Sequence, residues 1–311
     1  MRIVVLGTGP FAVPSMQALY ASPNEVVAVV SRPPRGRRAQ PAPVTVAAAE
    51  SGMETWLPET VNSDESRKKL LAMDADLLVV CDYGEILKSA TLSTARLGGI
   101  NLHGSLLPKY RGAAPVQWAV FNGEAETGNT IIQMTPGLDA GPCLGRQRVA
   151  IVPDETAGDL EARLAKMGAE LVLEIVDSLK NGTAQPLEQD ASQASKAPRL
   201  TKAQGQIDWT RSARQIKDHV RALQPWPRAF TGWQRAEGEP VRLIVHRVGL
   251  ADSAPVGGVA PGRVVAVGKE FLVATGDGLL CLEQVQPAGK RPMSAAQFLR
   301  GYPVQVGQAL R

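Results

Sequence analysis

Cysteine is scarce in this 311-residue chain: Cys81, Cys143 and Cys281 are odd in number, far apart and without a CxxC spacing. That excludes a disulfide framework and a cysteine-based zinc site, and it points to a reducing compartment, the cytoplasm. Histidine is as scarce, at His103, His219 and His246, so the chain offers no cluster with metal-ligand spacing and no metal is expected. Long apolar runs are missing too. The longest, such as residues 76–80, are the size of a strand, where a membrane helix needs about 20 apolar residues. The N-terminus, MRIVVL, turns at once into glycines, so no signal peptide is expected.

What is present is a globular composition, with 44% hydrophobic and 21% charged residues, and a length that suits two domains. The net charge of +4 is unevenly divided: from Lys196 onward there are 17 Lys and Arg against 8 Asp and Glu, a net of +9, and residues 1–195 carry 17 against 22, a net of −5. A basic second part suits a polyanionic partner; ordinary surface solubility is the plainer reading of the same numbers.

Short β-branched runs alternate with helix-like stretches over the first 180 residues. Strands are expected at 2–6, 25–30, 76–81, 100–103 and 130–134, and helices at 13–20, 44–50, 66–72 and 114–121. A long amphipathic helix at about 157–179 keeps Leu160, Leu164, Met167, Leu171 and Ile175 on one face. Such alternation predicts an α/β domain, a doubly wound, mostly parallel, Rossmann-like sheet, over residues 1–183. Residues 184–205 lack periodicity and read as a linker. Residues 206–311 read as one helix at 212–223 and short strands at 241–247, 262–267, 271–274 and 279–285, a small β-barrel.

The turn Gly7-Thr8-Gly9-Pro10-Phe11-Ala12 matches the dinucleotide fingerprint G-x-G-x-x-A. Pro10 removes a backbone donor where pyrophosphate needs one. No acidic residue ends the second strand, where Ser31-Arg32 stands. A tight strand-to-helix turn explains the glycines; Arg32 facing a 2′-phosphate would make the chain an NADP-dependent oxidoreductase instead.

The chemistry sits in Asn101-Leu102-His103-Gly104-Ser105-Leu106-Leu107-Pro108, at a strand's carboxyl end, where open α/β sheets bind ligands. In an extended segment Asn101 and His103 point to the same side. An amide donor beside an imidazole suits a carbonyl turning into an oxyanion. Asp139, in the glycine-flanked loop GLDAGP, is either a turn aspartate or a carboxylate brought to His103. His219 and His246 read as structural or surface residues.

Residues 101–128 (NLHGSLLPKYRGAAPVQWAVFNGEAETG) together with GLDAGP at 137–142 closely resemble the folate-dependent formyltransferases. The likeness runs from RIVVLGTGPFAVPSMQAL through DLLVVCDYGEIL, GQIDW and QPWP to ATGDGLLCLEQVQPAGKRPMSAAQFL. The N-terminal set is specific to enzymes using 10-formyltetrahydrofolate; the C-terminal part is most similar to the branch acting on initiator methionyl-tRNA in translation initiation. Two departures stand out. The basic loop after the second strand is the compact RPPRGRR at 32–38 where the family commonly has a longer one, and the family's GTPxF turn reads GTGPF.

The resemblance implies that Asn101, His103 and Asp139 are catalytic and that 10-formyltetrahydrofolate is the co-substrate, with no metal. It implies a folate site lined by Tyr83, Gly84, Ser105, Leu106, Leu107 and Pro108. It implies an OB-like second domain that grips tRNA, and a monomer. Candidates for the tRNA contacts are Lys202, Arg211, Arg214, Lys217, Lys290 and Arg291, with Arg35, Arg37 and Arg38 near the active site. The branch acting on glycinamide ribonucleotide lacks a basic second domain, and those acting on amino sugars usually carry a further catalytic one. A small-amine acceptor of either kind is the alternative.

Overall fold

The computed structural model describes residues 1–36, 40–235, 238–251 and 258–311; Arg37 and Arg38 lie outside the described residues. The chain divides into two units: the first is Met1–Val116, Glu126–Ala150 and Asp159–Pro198, the second Gln117–Ala125, Ile151–Gly158 and Arg199–Arg311.

The first unit is built on β1 (Arg2–Gly7), α1 (Val13–Ala21), β2 (Glu25–Val30), α2 (Pro43–Glu50), β3 (Thr55–Trp56), α3 (Asp64–Ala72), β4 (Leu77–Cys81), α4 (Ser89–Leu92) and β5 (Gly99–His103). Helix α5 (Pro115–Phe121) then leads to β6 (Glu126–Gln133), β7 (Cys143–Ala150) and the long α6 (Ala157–Lys180). The strand order is β3-β2-β1-β4-β5-β6-β7, with β6 antiparallel to both of its neighbours and every other pair parallel. This is the doubly wound, mostly parallel sheet expected.

β4 is an unbroken buried run, LLVVC, as a strand covered on both faces must be. α3 starts where Ser63 Oγ accepts from Ser66 N at 3.1 Å, with Asp64 and Glu65 in its first turn against the helix dipole. The sequence missed β3 and β7, the two edges. β3 has two residues, and β7 buries little beyond Cys143, so neither carries a clear apolar period.

The dinucleotide reading fails on geometry. Thr8 N and Gly9 N both donate to Asp82 O, at 3.1 and 3.4 Å, so these turn donors are spent. A Cβ on Gly9 would stand 1.7 Å from Asp82 Oδ2, so the glycine admits a carboxylate of the same chain where an anion would have to sit. Arg32 Nη1 is bound to Glu85 Oε2 at 3.0 Å in a half-buried network with Thr60 and Asn62.

Residues 184–205, expected as a linker, are pinned for much of their length to the first unit. Leu187 and Cys143 exchange backbone hydrogen bonds at 2.7 and 2.9 Å. Arg111 N donates to Ser195 O at 2.8 Å, and Ala197 N donates to Arg111 O at 2.7 Å.

The second unit holds α7 (Ala213–Ala222), β8 (Ala229–Trp233), β9 (Val241–Leu250), β10 (Val264–Ala266), β11 (Leu272–Ala274), β12 (Leu279–Pro287), β13 (Met293–Ser294) and α8 (Ala295–Gly301). Capping boxes start both helices, Ser212 with Gln215 and Ser294 with Gln297. The antiparallel order is β10-β11-β12-β9-β8, with β13 on β12. The final residues join the two edges: Gln234 N donates to Ala309 O at 2.9 Å on the β8 side, and Val264 N donates to Gln308 O at 2.9 Å on the β10 side. The sheet is thereby closed around a core containing Trp233, Phe271 and Phe298, the barrel expected of this part. Strand β8 was not expected, since Gly232 interrupts its apolar pattern.

No helix among the described residues is long and apolar enough to cross a membrane, and the three cysteines are free.

Candidate active site

β5 carries Asn101 and His103 to its carboxyl end, next to β4 and one strand from the β1–β4 boundary where the strand order reverses. His103 is 6% exposed. Its Nε2 lies 2.9 Å from Tyr110 O. A carbonyl only accepts, so Nε2 carries a proton and donates. The other nitrogen, Nδ1, faces Asp139 Oδ2 at 3.7 Å.

Asp139 comes from the loop between β6 and β7 and sits at φ 47°. Its carboxylate accepts from Gly112 N at 2.8 Å and from Asn101 Nδ2 at 3.4 Å. Asn101, His103 and Asp139 are thus brought together, although Asp139 is 38 residues from Asn101 in sequence. Gly112 is a glycine for two reasons: its φ is +128°, and a Cβ there would stand 2.5 Å from Ala197 O. Tyr110, Gly112 and Thr130 escaped the sequence reading. Thr130 donates to Ser105 O at 2.7 Å and accepts from Leu107 N at 3.1 Å, which shapes the loop after His103. A threonine within a strand carries no sequence signal for that.

The expected folate-lining residues divide. Tyr83, Ser105 and Leu107 are fully buried, so their side chains are packed inside the unit. Burial pushes the Tyr83 hydroxyl well above the usual phenol range, and that hydroxyl has no hydrogen-bond partner among the described residues. Gly84 at φ +81° would have open space beside a Cβ, and Leu106 and Pro108 are half-buried.

Among the cation candidates Lys202, Arg214, Lys290 and Arg291 are exposed. Arg35 is exposed, 3.6 Å from the equally open Glu59. Two are half-buried and engaged: Lys217 Nζ lies 2.5 Å from Asp154 Oδ1, and Arg211 stacks over the Phe121 ring at 5.0 Å. His219 Nε2 donates to Gln204 O at 2.7 Å and His246 Nε2 pairs with Gln286 Oε1 at 2.9 Å, both structural contacts.

Burial, with the Asp82 carboxylate adding to it, pushes the Glu161 carboxyl up to about 7. A folded state that holds this proton more tightly than the unfolded chain loses stability as pH rises from the ordinary carboxylate range to about 7. Glu161→Gln should therefore match the parent near pH 4 and exceed it by about 3 kcal/mol at pH 8. Urea unfolding at the two pH values checks this; an equal gain at both would refute it.

Residues 1–176 match the Formyl transferase family, and residues 199–303 match Formyl transferase, C-terminal domain. A methionyl-tRNA formyltransferase of Rhodopirellula baltica is 42% identical, covering 100% of this chain and 96% of its own length. One of Parvibaculum lavamentivorans is 39% identical with 100% of both chains covered. Among solved structures, the N-formyltransferase from Helicobacter canadensis, in complex with folinic acid and dTDP-3-aminofucose, superposes with a TM-score of 0.69 at 16% identity, over 92% of this chain and 98% of that one, a likeness of fold. The chain belongs to the formyl transferases, in the methionyl-tRNA formyltransferase family.

Proposed function

We propose that the protein transfers the formyl group of 10-formyltetrahydrofolate to the α-amino group of methionine on initiator methionyl-tRNA. The observation that carries this reading is the Asn101–His103–Asp139 constellation, in a chain about 40% identical over its full length to methionyl-tRNA formyltransferases.

The neutral amine attacks the formyl carbon, and the carbonyl oxygen takes the negative charge. Asn101 Nδ2 turns from Asp139 to donate to that oxygen. His103 keeps Nε2–H on Tyr110 O, so its Nδ1 edge serves the reacting groups. Asp139 takes the proton that the attacking nitrogen sheds, directly or through His103 Nδ1. When the tetrahedral intermediate collapses, the C–N10 bond breaks and that proton goes to N10 of the departing tetrahydrofolate. Proton and charge balance without a metal. Gly84 leaves room for the pterin against backbone, with Leu106 and Pro108 along the folate.

The test is incubation with 10-formyltetrahydrofolate and methionyl-initiator tRNA. Formyl-methionine should be released on hydrolysis of the product; formylation of glycinamide ribonucleotide or an amino sugar instead would overturn the acceptor.

The tRNA would be held through phosphates by the exposed cations. Lys290 and Arg291 stand at the tight turn between β12 and β13, where Gln286 Nε2 donates to Lys290 O at 2.7 Å. Replacing both with Gln should raise KM for tRNA, leave that for folate, and make the plot of log affinity against log salt shallower by about 2. An unchanged slope would remove these two from the interface.

A further inference from the structure

We propose that Gln189 is a positioning residue for formyl transfer: its side-chain amide clamps the Asp139 loop to Arg111 and so sets Asp139 against His103. This rests on the reading of Asp139 as catalytic.

All the hydrogen-bonding capacity of the Gln189 amide is used. Nε2 donates to Asp139 O at 2.9 Å and to Gly141 O at 2.7 Å. Oε1 accepts from Arg111 Nη2 at 2.8 Å and Nε at 3.2 Å. The partners fix which end of the amide is which. Reversed, it would set its NH2 against a guanidinium and its oxygen against two carbonyls. A glutamate cannot donate, a lysine cannot accept, and asparagine is one methylene shorter.

The clamp acts where the backbone is unfavourable. Asp139 is a non-glycine residue at φ 47°, a conformation that persists only when its surroundings hold it. On the other loop, Tyr110 stands at φ 64° and provides the carbonyl that takes His103 Nε2–H. Tyr110 N donates to Ser195 Oγ at 2.9 Å. One segment therefore holds the groups on both sides of the imidazole, Gln189 on the Asp139 side and Ser195 on the Tyr110 side. Backbone bonds to Cys143 before Gln189 and to Arg111 after it anchor the segment.

A misplacement of about 1 Å at a reacting group costs on the order of 100-fold in rate. Gln189→Met keeps bulk and removes every hydrogen bond; Gln189→Glu keeps the acceptor for Arg111 and removes both donors. In the full-length enzyme both should lower kcat by about 30- to 100-fold, with KM for folate and for tRNA within about 3-fold. In an Asp139→Ala background, the same changes should lower the residual rate by no more than about 2-fold, because the group they position is gone. A merely structural residue would act equally in both backgrounds. Retention of kcat within about 3-fold, equal losses in the two backgrounds, or failure of both variants to fold would each overturn the proposal. Asp139→Ala alone separates the two ideas. If it retains turnover, the catalytic reading of Asp139 falls and the clamp's role with it. If it loses turnover and the Gln189 variants do not, the clamp alone is wrong.

Discussion

His103→Ala should lower kcat for formyl transfer by about 1,000-fold, and Asn101→Ala by about 100- to 1,000-fold, with KM for the folate changed only a few-fold. The histidine is 6% exposed, its Nε2 donates to Tyr110 O and its Nδ1 faces Asp139 at 3.7 Å, so its orientation is set before substrate arrives. An interaction made mainly in the transition state appears in kcat and not in KM. Because the two residues serve one intermediate, the double variant should lose far less than the product of the single losses. Steady-state assays with saturating tRNA, beside folate binding measured directly, decide the matter. Near-normal turnover of both single variants would remove the site assignment. A loss confined to folate binding would move the pair from chemistry to binding.

Asp218→Ala should destabilise the second unit by about 3–5 kcal/mol, the cost of leaving a buried charge without its partner. Asp218 and Arg221 are 5% and 7% exposed, on adjoining turns of α7. Arg221 Nε donates to Asp218 Oδ1 at 2.8 Å, and Arg221 Nη1 donates to Glu155 O at 3.3 Å. The carboxylate also lies 3.8 Å from Arg214 and packs on Gly123, where a Cβ would stand 2.8 Å from Oδ2. Removing the acid leaves the buried guanidinium without its carboxylate. Replacing Asp218 and Arg221 together with apolar residues of similar size should recover most of the loss, since burying two charges is itself costly. Thermal or urea unfolding of the three variants checks both statements. If the single variant fell by less than about 1 kcal/mol, the pair would behave like a solvent-exposed one.

Much of this was legible in the residues. The α/β alternation is local, because a buried parallel strand such as β4 is a continuous apolar run and a helix such as α6 repeats its apolar face every three to four residues. Asn101 and His103 share a side because strand side chains alternate with period two. The concentration of Lys and Arg after residue 196 is a matter of counting. Other features were not legible. Lys217 and Arg211 looked like free cations, and only packing shows one tied to Asp154 and the other laid over Phe121. The G-x-G run reads as a tight strand-to-helix turn, and only the approach of Asp82 shows how its space is used.

The sheet, the strand-end pair and the basic second half are written in the residues, because each follows from periodicity or composition within a short window. That Asp139 faces His103, that Gln189 spans 50 residues to hold the Asp139 carbonyl, and that residues 308–311 close the barrel is set by long-range packing. Those contacts join chain segments tens of residues apart. No local period records them; chain closure brings them together, and hydrogen bonds that must be satisfied once water is excluded keep them there.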